Sequence, residues 1–476
     1  QSALGQYKDR SEYPFTKELE KRLGVKFEWI SPAIGQEKQQ FNIMISSGDL
    51  PDIVEWYWGD FVGGPDKALS EGYIAELNDL IEKYSPNFVK ALKDDPLYAK
   101  QSITDQGKYY YYPAYAQHGG ENDKLLITAG YMFRKDWLTE LNLPVPETID
   151  DWYVTLKAFK EMKNADSPLC ITAKDASRGL VGAFGIPMGW YQENGEIKFG
   201  YTDPRFKEFL TTMNKWYNEG LIDKNTANID TKTVDAKLLN NNAGAVFGWI
   251  GSNMGKWLNA GQKNDPKFDL VGVPYPVKQR GEKPKFGTKD AAVYVGGAAI
   301  GGKSKYKELA ARVLDYGYSK EGHMFMNFGT EGQTYQMVNN YPAYSDLIMK
   351  NPDGFTMEEA MRAYIRATGR GPYIQDKRYI EQRYFLEQQK SAQNTWINND
   401  IDKYSLPKLT PTSSESEEFA KIMTDIQTYI DEMYLKFILG KEPVSKFDEY
   451  VSEINRMGLA RAIEIQQAAL TRYNNR

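Results

Sequence analysis

The sequence predicts an α/β protein built as more than one lobe, and three observations support this. The chain has 476 residues, more than a single hydrophobic core usually organises, so two or three lobes are expected. Residues 66–290 alternate helical stretches with short strand-like runs, the pattern of βαβ units and parallel sheets. Residues 41–55 contain a helix, a tight turn and a strand in succession.

The stretch 41–55 is the clearest local signal in the chain. Its apolar side chains at 41–45 recur at helical spacing and share one face. Gly48 is typical of a helix C-terminus, and Pro51 prevents the helix from resuming. Residues 53–54 then carry the apolar signal of a short buried strand. We therefore predict a helix, a turn and a parallel strand, which together make half of a βαβ unit.

The remaining elements follow in chain order. Residues 17–23 are predicted to form a helix that ends at Gly24, and residues 25–30 alternate polar and apolar side chains like a strand. Residues 293–300 form a second strand-rich passage, whose glycines permit a bend or a close backbone approach, and we expect this passage to cross between lobes. From 353 to 476 the pattern is mostly helical.

The composition is that of an ordinary globular protein and excludes several kinds of site. Hydrophobic residues make up 41% and charged residues 26%, and the net charge of −5 is too mild for a dedicated nucleic-acid binder. Cys170 is the only cysteine, so neither an intrachain disulfide nor a Cys-based zinc site is possible. The only histidines are His118 and His323, which excludes a His-rich metal centre. No apolar run reaches the roughly 18 residues of a membrane span, and no signal peptide is recognisable, so an exported protein would be a mature or truncated chain.

Aromatic residues are over-represented. They make up 13% of the chain, including 33 tyrosines and 10 tryptophans. Tyrosine and tryptophan combine a flat apolar face with a polar edge, which suits stacking on sugars. The alternative is a protein surface that is simply rich in tyrosine, and composition alone does not separate the two.

An enzyme is the main alternative to a binding protein. A glycosidase needs two carboxylates that face each other across the scissile bond, and none of the acidic residues lies in a recognisable catalytic motif. The chain also lacks a phosphate-binding P-loop, a dinucleotide-binding glycine motif and a zinc-protease motif. Asp150 and Asp151 follow Thr148, and we interpret them as helix-capping residues. We predict no enzymatic activity and no cofactor, with a glycoside hydrolase or lyase as the alternative.

Several motifs occur in the order in which one protein family carries them. They are SGDLPDIV at 47–54, GKYYYYP at 107–113, YMFRKDWL at 131–138, WYNEGLID at 216–223, FGTEGQTY at 328–335 and KFILGK at 436–441. In these motifs the chain resembles the extracellular solute-binding lipoproteins of bacterial carbohydrate ABC importers, in the branch that binds alginate and oligosaccharides. The resemblance extends from about residue 12 to the C-terminus. It also places a first strand before this region, with residues 3–5 as the candidate remnant.

The resemblance implies a periplasmic-binding-protein-like α/β fold. Two α/β lobes would surround a central cleft, joined by hinge crossings, and the C-terminal part would be rich in helices. The N-terminal lobe is expected to comprise residues 1–125 plus 295–350, and the C-terminal lobe residues 126–294 plus 351–476. The crossings are expected near residues 115–130, 288–300 and 345–360.

The resemblance also implies the function. Such a protein captures an oligosaccharide in the cleft between its lobes and delivers it to the permease subunits of an ABC transporter. It would work as a monomer, without nucleic acid, outside the cell as a lipoprotein of a Gram-positive bacterium or in a periplasm. Its membrane attachment would depend on a lipid anchor that this chain lacks. The identity, charge and length of the sugar are not implied.

Aromatic residues at strand ends and loops are the candidates for contact with the sugar, because pyranose rings pack their C–H faces on aromatic planes. The predicted substrate-binding residues are Trp56, Tyr57, Trp58, Trp190, Tyr191, Trp249, Gln333, Tyr335 and Trp396. Trp249 is the strongest candidate, because the resemblance also places a stacking tryptophan there. Trp137, Trp152 and Trp216 have helical core spacing, so we assign them to packing.

Two charged segments complete the prediction. Alginate-binding relatives carry a calcium loop after the helix at 156–160, but here Asn164, Asp166 and Ser167 offer few oxygens and Lys163 lies among them, so no metal is predicted. A group of arginines either meets uronic acids or lines solvated helix faces, and both interpretations stay open. Its members are Arg362, Arg366, Arg370, Arg378 and Arg383.

Overall fold

The computed structural model describes residues 7, 9–33, 35–367, 369 and 371–476. These residues form two four-stranded sheets and two two-stranded hairpins, surrounded by helices. The mixed α/β architecture with a helix-rich C-terminal part is confirmed. The strand remnant expected at residues 3–5 lies outside the described residues.

The strands are distributed along the whole chain. They are β1 (Ile53–Trp56), β2 (Tyr112–Ala116), β3 (Ala129–Arg134), β4 (Leu169–Cys170), β5 (Trp190–Glu193), β6 (Glu196–Phe199), β7 (Ala245–Trp249), β8 (Leu270–Gly272), β9 (Val293–Ile300), β10 (Tyr335–Val338), β11 (Tyr341–Tyr344) and β12 (Ile374–Gln375). The first sheet has the order β1-β9-β2-β12 and the second β4-β7-β3-β8. The pairs β5–β6 and β10–β11 are hairpins.

The helices cover the sheets and fill most of the C-terminal part. They are α1 (Pro14–Leu23), α2 (Glu37–Ser47), α3 (Gly64–Ser70), α4 (Asn78–Tyr84), α5 (Pro86–Asp94), α6 (Pro96–Gln101), α7 (Lys135–Glu140), α8 (Ile149–Met162), α9 (Pro204–Asn218), α10 (Thr231–Leu239), α11 (Gly255–Asn264), α12 (Lys307–Asp315), α13 (Lys320–Phe328), α14 (Asp346–Met349), α15 (Met357–Tyr364), α16 (Lys377–Arg383), α17 (Glu387–Trp396), α18 (Ile401–Tyr404), α19 (Ser413–Ile438), α20 (Phe447–Arg456) and α21 (Leu459–Asn474). Within the described residues, no helix is both long and apolar enough to cross a membrane.

The structure confirms the helix, turn and strand predicted at residues 41–55, but not the parallel pairing predicted for the strand. α2 ends at Gly48, whose φ of 65° is the left-handed conformation that favours glycine, and β1 follows Pro51. The prediction of a parallel strand is wrong, because β1 pairs antiparallel with β9. β9 also pairs antiparallel with β2, so it separates two strands that run in the same direction.

The strand predicted at residues 25–30 is also absent from the described part of the chain. Glu20 Oε1 accepts the Phe27 amide at 2.8 Å, so this donor bonds a side chain and not a neighbouring strand. The rings of Phe27 and Trp29 pack together at 5.6 Å. Aromatic packing of an extended segment therefore explains the alternation.

Tryptophans fill the core beside the second sheet. Trp137 on α7, Trp152 on α8 and Trp216 on α9 are buried, which confirms their assignment to packing. α8 begins with a capping box in which the side chains of Thr148 and Asp151 each bond the other residue's backbone. The capping role predicted for these residues is therefore confirmed.

Three passages of chain connect the two sheets. The chain leaves the first sheet after β2, enters the second at β3, and returns from β8 to β9. The third passage follows β12, because α17 packs against β8 of the second sheet. The crossing predicted near 345–360 is wrong, since the chain returns to the first sheet at β12 after that segment.

Candidate ligand-binding cleft

The two sheets meet where their connecting passages begin and end. β1, β2 and β12 run in the same direction, so their carboxyl ends share one edge of the first sheet. Ligands of open α/β sheets bind beyond such an edge. In the second sheet, β7 ends at Trp249, which pairs with Ala129 at the end of the first passage. We therefore take the region between these two edges, next to the connecting passages, as the candidate cleft.

Two passages are joined directly beside this cleft. The Thr128 hydroxyl donates to Asp290 Oδ2 at 3.3 Å, and the Asp290 amide donates to the Leu126 carbonyl at 2.9 Å. The Ile250 amide, next to Trp249, donates to the Thr128 carbonyl at 2.8 Å. These bonds bring the end of β7 next to the residues that lead into β9.

The first sheet contributes a pair of tyrosines. Tyr57 follows β1 and is 42% exposed, and its hydroxyl lies 3.1 Å from the hydroxyl of Tyr294 on β9. Their rings are 5.9 Å apart and nearly perpendicular. Trp56 is half-buried and stacks on Phe41 at 4.3 Å. We call Tyr57 and Tyr294 the tyrosine pair.

Lys408 is linked to the tyrosine pair through Tyr111. The Tyr111 hydroxyl donates to the Tyr294 carbonyl at 3.2 Å and accepts a hydrogen bond from Lys408 Nζ. Lys408 Nζ also lies 4.0 Å from the centroid of the Tyr111 ring, a cation–π contact. Burial, together with the charge of Arg476, lowers the pKa of Lys408 well below its usual value.

The second sheet contributes Trp249. Its side chain is 41% exposed, and the Arg178 guanidinium lies 5.6 Å from the centroid of its ring. The Trp249 amide donates to Asn253 Oδ1 at 3.0 Å, within the π-helical turn that follows β7. Gly248 must be small, because a Cβ there would lie 2.6 Å from the buried ring of Trp257.

Four of the predicted site residues are buried instead. Trp58 is fully buried and packs edge-on against Phe41, with ring centroids 5.6 Å apart. Trp396 is also fully buried, and its indole N–H donates to the Val273 carbonyl at 2.8 Å. Its ring lies where a Cβ of Gly130 would clash at 2.3 Å. Both tryptophans fill space in the core, so in this structure they offer no face to a sugar.

The two buried tyrosines have structural partners as well. Tyr191 donates to Asp203 Oδ2 at 3.5 Å and accepts from Arg205 Nη2 at 3.3 Å. Tyr335 packs against Phe328 with ring centroids 5.9 Å apart. These contacts explain their burial by packing and hydrogen bonding.

The last two predicted residues are accessible but lie on the hairpins. Trp190 is half-buried on β5, with its ring 4.6 Å from that of Phe199 on β6. Gln333 is exposed in the turn before β10, where its carbonyl accepts from the Ser345 hydroxyl at 2.7 Å. Of the nine predicted residues, Trp56, Tyr57 and Trp249 therefore lie at the two sheet edges. Trp190 and Gln333 stay predictions that this geometry does not support.

Arginines near the two edges are paired with carboxylates. Arg366 Nη2 lies 2.5 Å from Glu55 Oε2, one residue before Trp56. Burial raises the pKa of Glu55, but the guanidinium groups of Arg366 and Arg10 outweigh that effect and lower it. Arg383 donates to both oxygens of Glu358 at 2.5 and 2.8 Å.

Arg378, another arginine of the predicted group, is also paired with a carboxylate. Its guanidinium group donates to Asp376 Oδ2 at 2.6 Å. Arg362 lies half-buried on α15, and Arg370 is outside the described residues.

A cavity of about 430 Å³ lies beside Arg378 and is lined by charged and amide groups, with Tyr98 as its aromatic member. It offers little aromatic surface for stacking on a sugar.

A lysine of α10 lies against the loop that follows α8, where the sequence predicts no metal. Lys237 Nζ donates to the Ser167 hydroxyl at 2.6 Å and lies 2.8 Å from Asp223 Oδ2 and 3.4 Å from Asp166 Oδ1. Lys237 thus neutralises Asp166 of this loop and the buried Asp223 beside it. Across the described ranges, no group of three or more His, Cys, Asp and Glu side chains is arranged to hold a metal ion.

Comparison with known proteins identifies the family. A family model described as "Bacterial extracellular solute-binding protein" matches residues 5–324, about two thirds of the chain. The chain belongs to this family. One similar protein is the fructooligosaccharide ABC transporter substrate-binding protein FusA of Streptococcus pneumoniae serotype 4 (strain ATCC BAA-334 / TIGR4). It is 25% identical, and the alignment covers 98% of this chain and 88% of FusA.

Further members of the family share both sequence and fold with this solute-binding protein. Lipoprotein LipO of Bacillus subtilis (strain 168) is 26% identical over 94% of this chain and 86% of its own length. The crystal structure of the alginate-binding protein AlgQ2 without calcium superimposes with a TM-score of 0.82 at 26% identity, covering 97% of this chain and 94% of AlgQ2. The two-lobed fold predicted from the resemblance is thereby confirmed.

Proposed function

We propose that this protein is the substrate-binding component of a carbohydrate ABC importer, which holds an oligosaccharide in the cleft and passes it to the membrane permease. One observation carries the proposal: exposed aromatic side chains, Tyr57 and Trp249, lie at the edges of both sheets beside the passages that join them. The names of the relatives agree, since FusA is a fructooligosaccharide-binding and AlgQ2 an alginate-binding protein.

The mechanism follows from the position of these side chains. A sugar ring presents apolar C–H faces, which stack on the tyrosine pair and on Trp249, while its hydroxyls bond polar groups such as the phenolic oxygens. A ligand that touches both lobes at once binds the closed arrangement more tightly and shifts the population towards it. The closed form is the one that the permease would recognise, and the binding protein itself leaves the sugar unchanged.

The proposed lobes follow the sheets. The sequence places the last lobe boundary at residues 350/351, but β12 pairs with β2 of the first sheet, so we propose an N-terminal lobe of residues 1–125 plus 295–375 and a C-terminal lobe of residues 126–294 plus 376–476. The protein would act as a monomer at the outer surface of a Gram-positive cell, anchored by a lipid, or in a periplasm. The name of LipO supports the lipid anchor.

Binding without turnover tests the proposal against an enzyme. The protein is incubated with pools of oligosaccharides and analysed for retained ligand and for cleavage products. We expect retention of about one ligand per protein and no new reducing ends. Release of shortened products would instead support a glycoside hydrolase or lyase.

Replacement of Trp249 tests the site. Trp249→Ala should weaken binding of a retained oligosaccharide by at least ~1 kcal/mol, about fivefold, because the stacking face is lost. Tyr306→Ala is the matched control, since Tyr306 is 61% exposed and lies at the start of α12, away from both sheet edges. Titration calorimetry gives the affinity and thermal unfolding the stability. Unchanged affinity in Trp249→Ala with a large drop in melting temperature would assign Trp249 to the core.

A further inference from the structure

We infer that Arg178 is a ligand-binding residue of the second edge, whose guanidinium group holds two adjacent oxygen atoms of the sugar ring stacked on Trp249, an inference that rests on the proposed function. An aromatic plane holds the C–H face of a sugar, but it does not distinguish one arrangement of hydroxyl groups from another. Directional hydrogen-bond donors beside the plane supply that selectivity, and Arg178 carries such donors.

The Arg178 guanidinium lies beside two aromatic rings at the end of β7. Its central carbon is 5.6 Å from the centroid of the Trp249 ring and 5.5 Å from that of the Phe247 ring. Phe247 and Trp249 are two residues apart on β7, so their side chains share one face of the strand. Trp249 is still 41% exposed, so a sugar ring can stack on its accessible part next to the guanidinium group.

Within the described residues, the Arg178 guanidinium donates no hydrogen bond. Its one ion pair there is with Asp175, and the 3.6 Å between Nε and Oδ1 is longer than a hydrogen bond. Asp175 Oδ2 is occupied by Thr172, whose hydroxyl donates to it at 2.7 Å and whose amide donates at 3.1 Å. By contrast, Arg366 and Arg383 each donate to a carboxylate at 2.5 Å. The side chain of Arg178 is also more exposed than that of Asp175, at 33% against 23%.

The backbone of Arg178 is held next to the passages that join the sheets. Its carbonyl accepts the Thr288 hydroxyl at 3.3 Å, and the Thr288 amide donates to the Tyr275 hydroxyl at 2.9 Å. The next residue, Gly179, packs so closely on Tyr275 that a Cβ would lie 2.3 Å from its ring. The Tyr275 hydroxyl in turn donates to the carbonyl of Ala129, the first residue of β3, at 3.2 Å. Because this backbone is already fixed, a ligand that binds Arg178 has to order only its side chain.

The shape of the guanidinium group determines what it can hold. Its N–H bonds lie in one plane and form a fork that suits two oxygen atoms side by side. A sugar ring offers such a pair as two neighbouring hydroxyl groups, or as the carboxylate of a uronate. In either case the ligand replaces water on donors that the protein leaves unpaired within the described residues. Arg178 thus selects the orientation of the ring on Trp249, whatever the charge of the sugar.

Affinity measurements on Arg178 variants test the inference. The probe is the tightest-binding member of a panel of fructo-, gluco-, xylo- and manno-oligosaccharides and oligogalacturonates, found by titration calorimetry on the wild-type protein. Arg178→Lys keeps a positive charge and loses the fork, and Arg178→Gln loses both. Each variant should therefore bind the probe at least about tenfold more weakly. Melting temperatures verify that the variants are folded.

Arg312→Lys is the matched control. The Arg312 guanidinium also lies beside an aromatic ring, 4.8 Å from the centroid of Tyr84, but it belongs to α12, which packs against α4. Its replacement should change the affinity by less than about twofold. Wild-type affinity in both Arg178 variants would overturn the inference and leave the proposed function intact. Binding of no panel member to the wild-type protein would overturn the proposed function, and the inference with it.

Modified probes separate a direct contact from an effect on Trp249. The derivatives each lack a single hydroxyl group or, for a uronate, carry a methyl ester in place of the carboxylate. A direct contact predicts that one derivative binds the wild-type protein at least about fivefold more weakly than the probe, yet binds Arg178→Lys as well as the probe does. If every derivative loses the same factor in both proteins, Arg178 acts only by orienting Trp249, and the inference is overturned.

Discussion

The two edges of the cleft present aromatic side chains in different ways. On the first sheet, Tyr57 and Tyr294 come from strands 237 residues apart in sequence and are held together by their hydroxyls. On the second sheet, Trp249 stands alone, with its amide fixed by Asn253 and its ring near Arg178. One edge is thus a hydrogen-bonded pair and the other a single stacking plane.

The layers beneath the two edges also differ. Under Trp249, the neighbouring Gly248 packs on Trp257, which is buried and hydrogen-bonded to Asp235 at 2.6 Å. Beside the tyrosine pair, Gly296 faces the rings of both Tyr57 and Tyr294, and the Tyr57 ring is 42% exposed. The second edge is therefore backed by a close-packed core, whereas the first is formed by partly exposed rings that their hydroxyls hold together.

The largest predicted effect comes from crowding the close-packed edge. In Gly248→Ala the added Cβ would lie 2.6 Å from the ring of Trp257, which cannot move without losing its bond to Asp235. We expect a loss of about 1–3 kcal/mol in the free energy of unfolding, measured by urea denaturation, together with weaker sugar binding.

The equivalent substitution on the first edge should reduce the stability less. In Gly296→Ala the Cβ would lie 3.2 Å from the Tyr57 ring and 3.3 Å from the Tyr294 ring, a much smaller overlap than at Gly248, so the stability loss should stay within about 0.5 kcal/mol. Gly59→Ala, where a Cβ meets no atom within 4 Å, controls for the change in backbone entropy. Equal losses at 248 and 296 would contradict the difference in packing between the edges.

A smaller effect should follow from separating the tyrosine pair. Tyr57→Phe removes one hydroxyl of the 3.1 Å contact, and so does Tyr294→Phe, so each should cost about 0.5–1.5 kcal/mol in sugar affinity. Because the two hydroxyls contact each other, the double variant should cost less than the sum of the single ones. Calorimetric titration of the four proteins completes the double-mutant cycle. Strict additivity would show that the hydroxyls act independently.

Local sequence pattern predicted the core helices but not which aromatic residues reach the cleft. Trp137, Trp152 and Trp216 were identified as core residues because helical spacing marks a buried face. Trp249 and Trp396 carried the same kind of loop or strand-end signal, yet Trp396 is buried. Its burial depends on a gap left by Gly130 and other glycines of distant strands, and single-sequence periodicity contains no information on such pairing.

The same limit explains the residues that the sequence missed. Tyr294 and Lys408 support the first edge, but the contacts that reveal them join segments separated by 237 and 297 residues. The glycines at 296 and 297 were a usable signal, since Gly297 marks a close approach of the backbone at Tyr112 and Gly296 a close approach of the rings of Tyr57 and Tyr294. The antiparallel insertion of β9 between β1 and β2 likewise follows from topology and not from local pattern.

The last prediction concerns Lys408 beneath the tyrosine pair and is a change of stability with pH. Burial and the charge of Arg476 lower its pKa in the folded state, whereas in the unfolded chain the pKa is about 10.4. Between these values the unfolded state binds more protons, so stability should rise as the pH increases towards about 10. Lys408→Met keeps the apolar stem and removes the titrating group, so its rise should be smaller. The free energy of unfolding of both proteins is measured by urea denaturation across this pH range. An equal rise with pH in the two proteins would contradict the lowered pKa and the proposed support of the first edge.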